Sequence, residues 1–176
     1  MKKILLVLGI FAVAFIVLVI SIFDSSVITY PTNPVQVLGG SDIPNISYPL
    51  PKGGRVLPDS PFWKIKALRD RVWFEATTSH LRKAQLALLF ADKRLVMAQT
   101  LFEKGETDLA IATLTKAEKY LPIALEEEKI ARQQGADTNN FLMQLSLASL
   151  KHKEVVERMI QLVSDSDKAT ITQIES

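Results

Sequence analysis

Along the chain the arrangement of apolar and polar residues changes three times, and the changes mark four stretches. Residues 4–23 form an apolar run without a single charge. A helix of that length rises about 1.5 Å per residue and spans roughly 30 Å, the hydrocarbon thickness of a bilayer. Residues 24–57 show no period. Pro31, Pro34, Pro44, Pro49 and Pro51, with Gly39-Gly40 and Gly53-Gly54, break any helix and disfavour a continuous strand. This composition predicts an extended tether with a flexible joint at 53–54. From 58 to 164 apolar residues recur at three- and four-residue steps, the signature of amphipathic helices. Residues 165–176 read as a short, weakly helical tail.

The periodic stretch resolves into about four helices. The first is expected over 61–76, with Ser60 as cap, Pro61 at the first helical position, and Phe62, Ile65, Leu68, Val72 and Ala76 as its buried face. Thr77-Thr78-Ser79 then interrupts it. The second, 80–104, carries a heptad-like seam of Leu81, Ala84, Leu88, Ala91, Leu95, Ala98 and Phe102 and stops at Gly105. The third, 107–134, aligns Ala110, Leu114, Ala117, Leu121, Ala124 and Ala131. Pro122 should kink or split it, and Gly135 ends it. The fourth, 138–163, aligns Phe141, Leu145, Ala148, Val155, Met159 and Leu162. Short loops between long helices force antiparallel neighbours. The expected architecture is therefore all-α: an N-terminal transmembrane helix (1–23), a linker (24–57), an antiparallel bundle of about four helices (58–164) and a tail (165–176).

The flanks of the apolar run give it direction. Lys2 and Lys3 precede it and the next cation is Lys52, so the positive-inside bias keeps the N-terminus cytoplasmic and the bundle outside. The run exceeds the usual signal-peptide core, and its best small-x-small site, Val19-Ile20-Ser21, lies within it. Retention as a signal-anchor is the expectation. With those two lysines set aside, 19 Lys and Arg balance 19 Asp and Glu, and a domain without a basic field does not suit nucleic acid. Absence of cysteine excludes disulfides, thiolate metal sites and a cysteine nucleophile.

Leu57-Pro58-Asp59-Ser60-Pro61-Phe62 leading into Lys64-Ile65-Lys66, with Ala91-Asp92-Lys93-Arg94-Leu95 and Leu101-Phe102-Glu103-Lys104-Gly105 further on, resembles a bacterial domain-of-unknown-function family. Its members have a Leu-Pro-x-Ser-Pro-aromatic helix start followed by an Ala-x-x-Arg-Leu stretch. The likeness covers residues 56–135, with Trp63 and Met97 departing from the usual pattern. It implies an extracytoplasmic helical module tethered by a membrane segment or signal, and no activity. Residues 105–122 are similar to a tetratricopeptide-type hairpin, without a second copy.

Motifs for chemistry are sparse. His80 and His152 lack the Glu three positions earlier that di-iron bundles use, and no zinc helix, phosphate loop or nucleophile elbow appears. No cofactor or metal is expected. His152 is expected at the bundle edge, and Glu126-Glu127-Glu128 on a solvated face, since consecutive helical positions diverge by about 100°. Arg55, Lys64, Lys66, Arg69 and Arg71, close to Trp63, Trp73 and Phe74, form a possible contact for anionic headgroups or wall polymers. Alternatively, the tryptophans pack in the core and the cations snorkel over it. The resulting expectation is a non-enzymatic, membrane-anchored interaction or scaffold module with a protein or envelope-polymer partner. The alternative is a ligand-binding protein or enzyme whose site pairs His152 with carboxylates of the second or third helix.

Overall fold

The seam expected on the second helix becomes the axis of the molecule. In the computed structural model, which describes residues 45–162, 168 and 171–174 together with positions 7, 9–11, 13, 14 and 17, this helix is α2 (His80–Glu103). Around it stand α1 (Trp63–Ala76), α3 (Thr107–Glu118), α4 (Tyr120–Gln133) and α5 (Asn139–Leu162). Among the described residues there is no strand. α2 touches each of the other four helices. Ala84, Leu88, Ala91, Leu95 and Ala98 are buried on its seam, and Leu86, Leu89, Phe90 and Met97 are buried on its other sides. Alanines alternating with leucines let the neighbouring helices approach closely, which favours α2 as the element surrounded by the rest.

Terminators act largely as their chemistry dictates. Ser79 caps α2 by accepting from the Arg82 amide. Gly105 takes φ +78° just beyond the C-terminus of α2, a conformation that costs other residues energy. Pro122 splits the third expected helix, and α4 starts at Tyr120 so that the proline falls within a first turn, where its missing N–H costs no hydrogen bond. Ser60 does not cap a helix. Its hydroxyl accepts from the Phe62 amide at 3.3 Å within a turn, and α1 begins two residues later than expected.

Three sequence expectations are revised by packing. The supposed buried face of α1 faces outward: Phe62, Ile65 and Leu68 are 65%, 68% and 62% exposed, whereas Asp70 and Trp73 are buried. Periodicity identified the stripe but not the side the bundle takes. α1 makes the sparsest helix–helix interface among the described residues. The triple glutamate is not a solvated face either. Glu127 pairs with His80 at 2.7 Å, and Glu128 is fully buried, accepting from Thr138 at 2.6 Å and Arg132 at 3.1 Å. In the tail, Ile171 is buried in the core.

The third revision concerns the tether. Residues 45–57 lie on the bundle as an extended strap, with Tyr48, Leu50, Pro51 and Leu57 buried. Gly53 passes so close to α2 that a Cβ there would stand 3.1 Å from Met97 Cγ, so the expected flexible joint is a tight contact. Most of the run at 4–23, and all of 24–44, lie outside the described residues, and with them most of the expected anchor. Among the described residues no helix is long and apolar enough to cross a membrane.

A docked strap has a thermodynamic signature that a free tether lacks. Leu50→Ala removes a side chain that is 1% exposed, and urea unfolding followed by circular dichroism should show a loss of about 2–4 kcal/mol. The exposed neighbour Lys52→Ala should stay within about 0.5 kcal/mol of the parent. Equal stabilities for all three chains would contradict the docking.

Candidate functional site

Two constellations gather polar residues inside the fold. The first centres on His152 of α5, which is 1% exposed instead of sitting at the bundle edge. Its Nδ1 lies 2.8 Å from Glu118 Oε1 on α3, and its Nε2 lies 3.0 Å from Asp92 Oδ1 on α2. The Tyr48 hydroxyl of the strap donates to the other Asp92 oxygen at 2.7 Å. Carboxylate oxygens accept, so both ring nitrogens donate and the ring is an imidazolium. Burial alone would lower its pKa. The hydrogen bonds to Asp92 and Glu118, and the charges of both, outweigh burial and raise it to about 9.

On either side of His152 along α5, Lys151 pairs with Glu154 at 2.9 Å, both buried. Arg158 reaches the same carboxylate at 3.1 Å, and the Ile46 amide donates to it at 2.7 Å. Two buried carboxylates, Asp92 and Glu154, therefore hold the strap. The arrangement joins His152 to carboxylates of the second and third expected helices. However, an imidazolium with both N–H groups engaged has no lone pair to accept a proton, so it cannot serve as a general base. Its chemistry is that of a clamp.

The second constellation is a cavity of about 830 Å³ bounded by the strap, α1 and α2. Its volume falls in the range of small-molecule sites. It exists because α1 stands off from α2 and touches it through Trp73, whose ring packs edge-on against Phe90 at 5.9 Å, and through Phe74, whose ring lies 6.3 Å from the same Phe90. Among the described residues six cations line the cavity, Lys52, Arg55, Lys66, Arg69, Lys93 and Arg94, against the single carboxylate of Asp70. Trp63, Trp73 and Phe90 supply apolar walls, and Ala14 and Val17 of the N-terminal run also border it.

The cations are held differently. Arg69 is neutralised by Asp70 at 2.7 Å, and Lys66 donates to the strap carbonyls of Val56 and Gly53 at 3.1 and 3.4 Å. Arg94, 9% exposed, lies on the rings of Tyr120 and Phe90, with its Cζ 4.4 and 5.4 Å from their centroids. Its Nη1 gives one long bond of 3.4 Å to the Phe90 carbonyl, while its Nε is buried without a partner. Burial lowers the pKa of Lys66 to about 8, with the charges of Lys93, Arg69 and Arg94 adding to the effect and Asp70 opposing it. Burial likewise lowers Lys93, Asp70 opposing and Arg69 adding. An anion placed among these groups would relieve both the repulsion and the lost solvation.

Of the five cations read from sequence, the cavity brings together Arg55, Lys66 and Arg69. Lys64 and Arg71 stay exposed on α1 and do not line it. Sequence reasoning missed Lys93 and Arg94, because nothing local to α2 shows that the two face α1 across a gap. Lys52 was hidden in the supposed tether. Among the described residues no group of three or more His, Asp or Glu could hold a metal ion.

A family model described as a domain of unknown function (DUF5667) matches residues 55–166. That range holds all five helices and both constellations, apart from the strap residues before Arg55 and the cavity-lining Ala14 and Val17. No curated protein and no solved structure matches the chain.

The clamp has a definite pH signature. In the folded chain His152 keeps its proton up to about pH 9, whereas an ordinary histidine loses it near 6.5. Its contribution is therefore complete below that ordinary value and disappears as pH rises through about 9. Urea unfolding should show stability falling across this window, on the order of 3 kcal/mol for a shift of this size. His152→Gln should be less stable at the acid end and much flatter across the window. A flat profile for the parent chain would count against the clamp.

Proposed function

We propose that this chain, which belongs to the DUF5667 family, is a membrane-anchored, non-enzymatic binding module whose domain is held outside the cytoplasm. The observation that carries the reading is the cavity in which six cations face one carboxylate between aromatic walls. Such a lining suits an anionic group, phosphate or carboxylate, borne on an apolar or aromatic body. Arg94 supplies a planar fork with an unpartnered buried Nε, and Lys93 supplies a point charge.

Support for the anchor comes from the sequence. The run at 4–23 is long enough to cross a bilayer, and Lys2 and Lys3 hold its start in the cytoplasm. Support for binding over catalysis comes from His152, whose ring nitrogens are both committed to carboxylates. A protein or envelope-polymer partner would be recognised through an anionic group that enters the cavity.

Titration of the full chain in zwitterionic nanodiscs with phenyl phosphate tests the site, with phenyltrimethylammonium as the control of opposite charge. Saturable binding of the phosphate and none of the cation is expected. Arg94→Gln should weaken it by about tenfold or more, as loss of a charged hydrogen-bond donor does. Lys64→Gln, outside the cavity, should leave it unchanged. Absence of saturable binding, or equal binding of both probes, sinks the proposal.

Affinity should also fall as pH rises through about 8, where Lys66 gives up its charge. In Lys66→Met the affinity should be lower at neutral pH and nearly constant over the same interval. A parent profile no steeper than that of the variant would remove Lys66 from the site.

A further inference from the structure

The outer side of α1 is what the binding reading leaves unused. At about 100° per residue, Ile65 and Leu68 project together with Phe62 close by, and Val72 and Ala76 continue the stripe. Phe62, Ile65 and Leu68 are the most exposed large apolar side chains of the described fold from residue 45 onward. On one side of the stripe lie the exposed cations Lys64 and Arg71. On the other lie Lys66 and Arg69, which line the cavity, and Phe62 and Ile65 belong both to the stripe and to the cavity lining. An apolar stripe edged by cations on both sides is the pattern of a helix lying in a membrane interface, with its apolar side among acyl chains and its cations at anionic headgroups.

We propose that α1 docks on the bilayer that carries the anchor, with Phe62, Ile65 and Leu68 inserted and an anionic phospholipid headgroup drawn into the adjoining cavity. This rests on the binding reading above and names the ligand as a lipid of the chain's own membrane. Two observations favour the bilayer as occupant. The sequence leaves only 21 residues, 24–44, between the apolar run and the strap, and covalent geometry limits their reach to about 75 Å at most. A contact so leashed operates at high effective concentration, so a shallow insertion suffices. Charge also discriminates, because the other exposed apolar stripe, Met143, Leu147 and Leu150 on α5, is bordered by Asn140 and Ser146 and lacks the paired cations.

The chain has no cysteine, so a single Leu68→Cys accepts one nitroxide at the centre of the stripe, where exposure makes the change harmless to packing. The full labelled chain is placed in nanodiscs of zwitterionic lipid and in nanodiscs containing phosphatidylglycerol. Collision of the nitroxide with oxygen is compared with collision with a water-soluble nickel complex. In the anionic discs the label should favour oxygen, as one within the acyl region does, and added salt should weaken that preference. A label at Lys116→Cys, exposed on α3, should favour nickel in both discs. Adding Lys64→Glu and Arg71→Glu should return the label at 68 to water.

Nickel-favoured collisions at 68 in both discs would overturn the docking, and if phenyl phosphate still bound, the cavity reading would survive it. Oxygen-favoured collisions without phenyl phosphate binding would support the docked surface and remove the cavity. Spin–spin broadening at 68 between chains, with no gain in oxygen contact, would assign the stripe to a second copy and overturn the bilayer as occupant. Failure of the chain to enter discs would remove the anchor and this inference together.

Discussion

The described fold depends on one buried cation. The His152 imidazolium joins α5 to α2 through Asp92 and to α3 through Glu118, and Asp92 passes the link to the strap through Tyr48. Charges removed from water carry a desolvation cost of several kcal/mol each unless geometry and hydrogen bonding offset it. Here each ring nitrogen has an oxygen within 3.0 Å. The cost of removing one partner is then much larger than the net worth of the network, because a bare buried charge remains. Such a network does more to specify one arrangement of elements than to deepen stability. Apolar seams would tolerate some sliding of α5 along α2, whereas a doubly bonded ring does not.

Specification at the centre leaves the periphery loose, and the cavity arises there. α2 packs most extensively on α3 and α4 and least on α1. α1 meets the bundle through Trp73 and Phe74 against Phe90, through Phe74 against Tyr120, and through Lys66 on the strap carbonyls. The gap between the helices is lined by what the facing sides happen to carry, apolar walls with cations far outnumbering carboxylates among the described residues. Clamp and cavity also share α2: Asp92 points one way, and its neighbours Lys93 and Arg94 point the other. Three consecutive residues therefore divide between the two constellations, a direct result of the 100° step between helical positions.

How much of this could be read beforehand depends on whether the signal is local. The periods of α2 and α5, the breaks at Gly105, Pro122 and Gly135, and the absence of strands among the described residues are set by residues within a few positions of one another, and they were legible. So was the cluster of cations and aromatics on α1, with three of its five cations found in the cavity lining. Burial of His152 and Glu128 was not legible, because the groups that compensate them lie 60 and 34 residues away for the histidine and 10 for the glutamate. The orientation of α1 failed for a related reason. Its moment was read on the premise that the richest apolar side faces the core, and the premise fails where the core is already complete. The strap was misread because proline and glycine report lack of helix, not lack of contact.

Docking of the strap also decides how the domain responds to force. Any tension on the chain before residue 45 meets the Ile46 amide on Glu154 and the Tyr48 hydroxyl on Asp92 before it meets a helix. An extended segment pulled along its own length must break such bonds together in shear, whereas pulling at a helix end would peel them one at a time. The first element to yield would be the strap, and with it one wall of the cavity. Retention of an anion bound as proposed would thereby be sensitive to mechanical load at the N-terminal side, while the clamp between the helices keeps the bundle in one piece.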